Sequence, residues 1–118
     1  MLVRNYRDID PEDVEEGAKN TTIRWVITEE DGAPHFAMRV FEIGPDGHTP
    51  LHEHGWEHEV FVLEGEGVLV SKEGDRPLKP GDVVFVPGEE RHQFKSTGTA
   101  RLKVLCMIPT QRVLHAVR

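Results

Sequence analysis

Short apolar runs alternate with turn residues along most of the chain. Residues 22–28 read TIRWVIT, 35–43 HFAMRVFEI, 59–65 EVFVLEG, 67–73 GVLVSKE, 81–87 GDVVFVP, 91–96 RHQFKS and 100–109 ARLKVLCMIP, with DGAP and GPDG among the punctuation. β-branched and aromatic residues at period two, bounded by Gly, Pro and Asp, predict strands. With TPLHEH at 49–54 this makes roughly eight or nine of them, enough for a closed or sandwiched all-β domain. One helix is expected: Asp10 as cap, Pro11 at the first helical position, then an acidic turn ended by Gly17.

Two runs are apolar on both faces. Val104, Cys106 and Ile108 alternate with Leu105 and Met107, and Val60 and Val62 with Phe61 and Leu63. One face of such a strand fills the core, and the other needs a cover. A second copy of the chain is the simplest one, so a homodimer is expected.

Composition narrows the classes. At 118 residues the chain is expected to form one domain, 1–118. Lys and Arg total 14 against 21 Asp and Glu, a formal net charge of −7, which argues against a nucleic-acid partner. The single cysteine, Cys106, excludes an internal disulfide framework and a cysteine-rich zinc module. The opening MLVRNYRD lacks an apolar signal region and no run is long enough to cross a bilayer as a helix, so no membrane partner and a cytoplasmic location are expected.

The remaining chemistry lies in HEHGWEHE at 52–59. A zinc-protease helix needs two histidines four apart with Glu after the first; His54 and His58 have that spacing, but Gly55 follows His54. Pro50, Gly55 and the β-branched run that follows favour strand, turn, strand. On a strand, His52 and His54 share a face about 7 Å apart. The chain then returns with His58 beside them, and His92 follows the strand GDVVFVP. Imidazoles so placed can hold one divalent ion and leave coordination positions open. His35, His48 and His115 have no ligand-spaced companion and are read as ordinary polar positions.

The run HEHGWEHEVFVLEG resembles the first motif of the cupin superfamily, with His52 and His54 on its two histidines, His58 where Glu usually stands, and Gly65 closing it. GDVVFVPGEERHQFKS resembles the second motif, with Gly81, Pro87 and His92 in place, Glu89 where Gly is usual and Ser96 for Asn. The motifs span about 47–65 and 81–96, and Gly47 lies one residue nearer His52 than the pattern asks. The resemblance implies a cupin double-stranded β-helix, a jelly-roll-like barrel with little or no helix. It also implies a metal held by His52, His54, His58 and His92, as in the small four-histidine cupins that carry manganese.

Replacing Glu by His58 leaves more positive charge on the ion, which then attracts anionic ligands more strongly and is harder to oxidise. Glu59 is the rival ligand; the spacing to Gly65 favours His58, and without a bulge only one of the two can reach the ion. Manganese is expected first, then iron, with Cu, Ni, Co and Zn also suited to imidazole.

Strand parity sketches a pocket lined by Phe94, Val104, Cys106, Ile108, Met38 and Val40, with Trp56 in the turn between ligands. Cys106 has no basic neighbour in sequence and reads as a small buried side chain. Arg39 is a candidate carboxylate anchor, but its parity is opposite to Met38. No general base stands beside the histidines. Two functions are expected to compete: a metal-dependent oxidoreductase of dioxygenase or peroxide-using type on a small organic substrate, and a noncatalytic metal- or ligand-binding module. Decarboxylation or isomerisation of a small metal-chelating acid is a further alternative.

Overall fold

A computed structural model describes residues 1–14 and 16–116. It is built from antiparallel strands: β1 (Glu12–Asp13), β2 (Lys19–Ile27), β3 (Phe36–His48), β4 (His58–Glu64), β5 (Gly67–Ser71), β6 (Gly74–Leu78), β7 (Val83–Val86), β8 (His92–Ser96) and β9 (Leu102–Pro109), followed by helix α1 (Gln111–Ala116). The strand order is β6-β5-β8-β3-β9-β4-β7, with β2 also paired to β3 and β1 to β2.

The long strand β3 curls this sheet. Its first two thirds pair with β9 from Phe36↔Pro109 to Ile43↔Leu102, and its last residue crosses to β8 at His48↔Lys95. Inward residues of the facing strands, including Ile43, Val60, Val62, Phe94, Leu102 and Val104, form one apolar core. Ile43, Leu102, Val62 and Val104 are essentially sealed from solvent. Each such side chain stabilises the fold by about 1.5–3 kcal/mol relative to exposure.

The two motif glycines have backbone reasons. Gly65 sits at φ 82°, and a Cβ there would lie 2.1 Å from the Arg101 carbonyl oxygen. Gly81 sits at φ 92°, in the turn that opens β7. Both are conformations in which a side chain is strained. Glu89, in the position where the motif usually has Gly, is held at φ 67° all the same.

The fold departs from expectation in five places. TPLHEH at 49–54 is no strand but a connection with one isolated bridge, His52 to His92. Among the described residues no helix follows Pro11, Glu15 of that segment lying outside them: Glu12 and Asp13 pair with Ile23 and Thr22 as an added edge strand. GPDG does not end β3, because Asp46 at φ 60° and a register shift against β2 let the strand continue to His48. Gly74–Leu78 pairs with β5 despite Pro77; as a terminal strand of the sheet order it has a free side that tolerates a missing donor. QRVLHA forms α1, anchored by the Leu114 amide donating to the Thr110 carbonyl at 3.0 Å and by burial of Leu114.

Candidate metal centre

His52 and His54 lie in the connection between β3 and β4, His58 opens β4, and His92 opens β8. Backbone bonds fix this connection. The His52 amide donates to the His92 carbonyl at 3.2 Å, and the His92 amide returns the bond at 3.0 Å. Just upstream, the Thr49 hydroxyl accepts from the Phe94 amide at 2.9 Å. The Glu89 amide donates to the His54 carbonyl, tying the β7–β8 turn to the same segment. The chain thus brings the imidazoles together by main-chain bonding.

One donor nitrogen from each of the four rings lies within 4.8 Å of the others. His54 and His58 present their Nε2 atoms to each other at 2.8 Å. His54 Nδ1 donates to the Trp56 carbonyl and His92 Nδ1 to the Glu90 carbonyl, both at 2.8 Å. Such bonds place the hydrogen on Nδ1 and leave the Nε2 lone pair facing the cluster. His58 Nδ1 has an acceptor in Cys106 Sγ at 3.1 Å. Converging lone pairs repel one another, and a cation among them turns that repulsion into bonding. The donor set therefore fits a divalent transition metal with affinity for imidazole.

The surroundings favour the neutral form of His52, His54 and His58. Burial, then the neighbouring His92 and His54, pushes the His52 pKa down to about 4. His54 is lowered chiefly by burial, against the opposing pull of the Trp56 carbonyl. Burial, then the positive Arg39, takes His58 to about 2. A neutral imidazole is the form that ligates.

The cluster opens into a cavity of about 390 Å³ whose lining includes His52, His58 and His92, a size typical of small-ligand sites. Phe94, Val104 and Cys106 line it. Met38 and Val40 do not: they face the opposite side of β3, against Leu105, Leu63 and the N-terminal segment. Register explains the correction. Cys106 stands opposite Arg39 and Val104 opposite Phe41, so the inward face of β9 meets Arg39 and Phe41, while Met38 and Val40 meet the outward Met107 and Leu105.

Ile108 shares the inward parity of β9 but lines a separate depression with Trp25 and Ala37. Trp56 is outside the cavity wall and stacks on His54, ring centroids 4.1 Å apart and planes 6° from parallel, so it orients a ring of the cluster. Glu59 is exposed, opposite Phe85 on one side and Met107 on the other. The lining also includes Trp25, Arg39, Phe41 and the acidic pair Glu12 and Asp13, none of which the motifs marked. Cys106, without a basic neighbour in sequence, has one in space: Arg39 Nη2 lies 3.0 Å from its sulfur. Burial nevertheless pushes the thiol pKa up, against the pull of Arg39.

An antiparallel sheet curled around an apolar interior, with an imidazole cluster inside it, defines the class of small β-barrel proteins with a candidate metal centre. The chain belongs to the cupin domain family, whose model (Cupin_2, cupin domain) matches residues 39–108. Among solved structures it is similar to the polyketide cyclase RemF from Streptomyces resistomycificus, with 38% identity, a TM-score of 0.87, and 92% of this chain and 79% of that one covered. It is 36% identical over 75 residues to the 1-methylthio-D-xylulose 5-phosphate methylsulfurylase of Rhodospirillum rubrum, covering 64% of this chain and 48% of the relative. It is also 36% identical over 80 residues to the oxalate-binding protein of Thermotoga maritima, covering 64% of this chain and 66% of that protein. The chain thus spans less than two thirds of the length of these two relatives.

Proposed function

We propose that the protein is a metal-dependent enzyme that acts on a small, oxygen-bearing organic substrate, with one divalent ion held by His52, His54, His58 and His92. The observation that carries this reading is the convergence of four imidazoles at the wall of a largely apolar cavity. Bound there, a divalent ion supplies a Lewis acid with open positions, fit to polarise a chelating carbonyl or enol or, in an oxidoreductase, to activate dioxygen or peroxide. Manganese is proposed first and iron second, from the likeness to four-histidine cupins.

Lewis-acid chemistry such as cyclisation, isomerisation or decarboxylation is the better supported reading. Neutral ligands leave the ion's charge uncompensated and resist its oxidation, and the similar RemF is described as a polyketide cyclase. The chain's own contribution is positioning and exclusion of water. Phe94, Val104 and Phe41 wall the reacting end in apolar surface, which strengthens any polar contact made inside it. His54 and His92 are locked by their Nδ1 bonds to backbone carbonyls. A dioxygenase-type oxidoreductase is the second reading, favoured by a cavity with a largely apolar wall that suits dioxygen.

Elemental analysis of natively purified protein tests the metal. Manganese- or iron-loaded protein is then incubated with diketones, alkenes, flavonols and 2-oxo acids, with and without dioxygen. Product formed equally well under anaerobic conditions supports the Lewis-acid reading; product formed with dioxygen uptake supports the oxidoreductase. No turnover above the metal-free protein, with tight binding of one ligand, overturns both in favour of a binding module like the oxalate-binding relative.

The homodimer is likewise a proposal. Outside the barrel, Phe61, Leu63, Val83 and Phe85 are all exposed, and Phe61 pairs with Val83 across the register. This surface continues to β7, which ends the sheet order. A two-fold axis lets the same patch cover itself.

A further inference from the structure

The cavity wall beside the imidazoles carries a buried cation without an anion. Arg39 is 8% exposed, and none of the ion pairs formed among the described residues includes it. Its Nε is buried with no hydrogen-bond partner. Nη2 lies 3.0 Å from Cys106 Sγ and 3.2 Å from His58 Nδ1. The second contact is no hydrogen bond once His58 turns its Nε2 lone pair to the cluster, because Nδ1 then carries a hydrogen of its own. Its acceptor is the same sulfur, at 3.1 Å. Among the described residues the guanidinium is thus left with one thiol sulfur, a weak acceptor already shared.

What holds Arg39 in place is aromatic. Its guanidinium carbon stands 5.3 Å from the Trp25 ring centre and 4.9 Å from that of Phe41. Those rings pack near the cation and leave its charge uncancelled. A buried charge is tolerated when it is paired or coordinates a ligand. The side chain lines the same cavity as His52, His58 and His92, so a molecule inside meets the guanidinium and the imidazoles together.

We propose that Arg39 is the anion anchor of this cavity, taking the carboxylate of a small ligand whose second oxygen-bearing group reaches the four-histidine cluster. This rests on the reading of that cluster as a metal centre. A carboxylate suits this cation: its two oxygens can accept from two guanidinium nitrogens in parallel and cancel the charge. A phosphate dianion brings more charge and more acceptors than one cation in an apolar wall can meet. Glu12 and Asp13, exposed and lining the same cavity, further disfavour polyanions. The expected ligand is a small monocarboxylate of the 2-oxo acid type with an apolar remainder.

The test compares two probes of the same shape, benzoylformate and its uncharged analogue 1-phenyl-1,2-propanedione, by calorimetric titration of the manganese-loaded full chain. Wild-type protein is expected to bind benzoylformate at least tenfold more tightly than the dione. Arg39→Gln is expected to cut that preference several-fold, with dione affinity and manganese content unchanged. Arg39→Lys keeps the charge but loses the fork, and recovers part of the preference. An unchanged benzoylformate affinity in Arg39→Gln overturns the proposal, and so does an equal loss of both probes, which marks a purely structural role. Should Arg39→Gln fail to fold, the Arg39→Lys ratio of the two probes decides in the same way. Elemental analysis and a repeat in EDTA separate the two readings. If no ion is retained and chelation alters neither isotherm, the metal reading fails, while the dependence of benzoylformate binding on Arg39 still stands or falls by itself.

Discussion

His58 and Glu59 are neighbours in the chain and face opposite sides of β4: His58 Nε2 lies 2.8 Å from His54 Nε2 inside the barrel, while Glu59 is exposed and lies opposite Phe85 in the register. A strand shows alternate faces, and by this parity only His58 reaches the other imidazoles. His58→Ala is expected to lower the metal content of purified protein several-fold, and Glu59→Ala to leave it unchanged, as read by elemental analysis. Equal loss in both variants, or loss only in Glu59→Ala, contradicts the arrangement.

Metal-free protein is expected to lose stability as the pH falls from about 6.5 to about 4. The sign follows from the depressed histidines. His52 drops from 6.5 to about 4 on folding, and His54 and His58 are lowered too. Between those values the unfolded chain binds protons that the folded chain refuses, so stability is full above about pH 6.5 and declines below it. Melting curves in EDTA at a series of pH values check this. His58→Gln should flatten the slope; a melting temperature independent of pH in this window would count against the lowered pKa values of His52, His54 and His58.

Glu89 sits at φ 67° where the motif usually places Gly. A left-handed conformation costs a residue with a Cβ about 1–2 kcal/mol, and glycine gives back about 0.5–1 kcal/mol through the entropy of the unfolded chain. Glu89→Gly is therefore expected to stabilise the protein by up to about 1 kcal/mol, measured by urea unfolding. A loss of stability would show that the Glu89 side chain makes a contribution larger than its backbone strain.

Much of the centre was legible because its residues carry local patterns. His52, His54, His58 and His92 stand at fixed distances from Gly65 and Gly81, and those glycines are required by the turns they make. The cavity wall was less legible. Residues 37–41 of β3 read AMRVF, apolar on both faces, and offer no period-two contrast to say which face turns inward. The register Arg39↔Cys106 decides it, and register belongs to the folded sheet. The most polar residue of that run was thereby set aside, and it is the one that faces the imidazoles. Likewise DPEDVEEG satisfies every local rule for a helix start, yet pairing with Thr22 and Ile23 at a sheet edge prevails. Local propensity is a weak prior against tertiary contacts.

The outer apolar face gives a further expectation. Phe61 and Phe85 are 44% and 62% exposed, more than isolated surface residues of their size need to be. A Phe61→Asp, Phe85→Asp double variant is expected to remain folded and shift the protein from dimer to monomer in light scattering. A wild-type protein that is monomeric at micromolar concentration would remove the proposed interface.

The reciprocal amide bonds between His52 and His92 have a consequence for how such a protein changes over generations. The seam that closes the barrel beside the cluster is sewn by peptide groups, which every amino acid except proline can supply at those positions. The imidazoles hang from this seam without being part of its stitching. A lineage can therefore trade one ligand for another, or dispense with the ion, and still inherit an intact vessel.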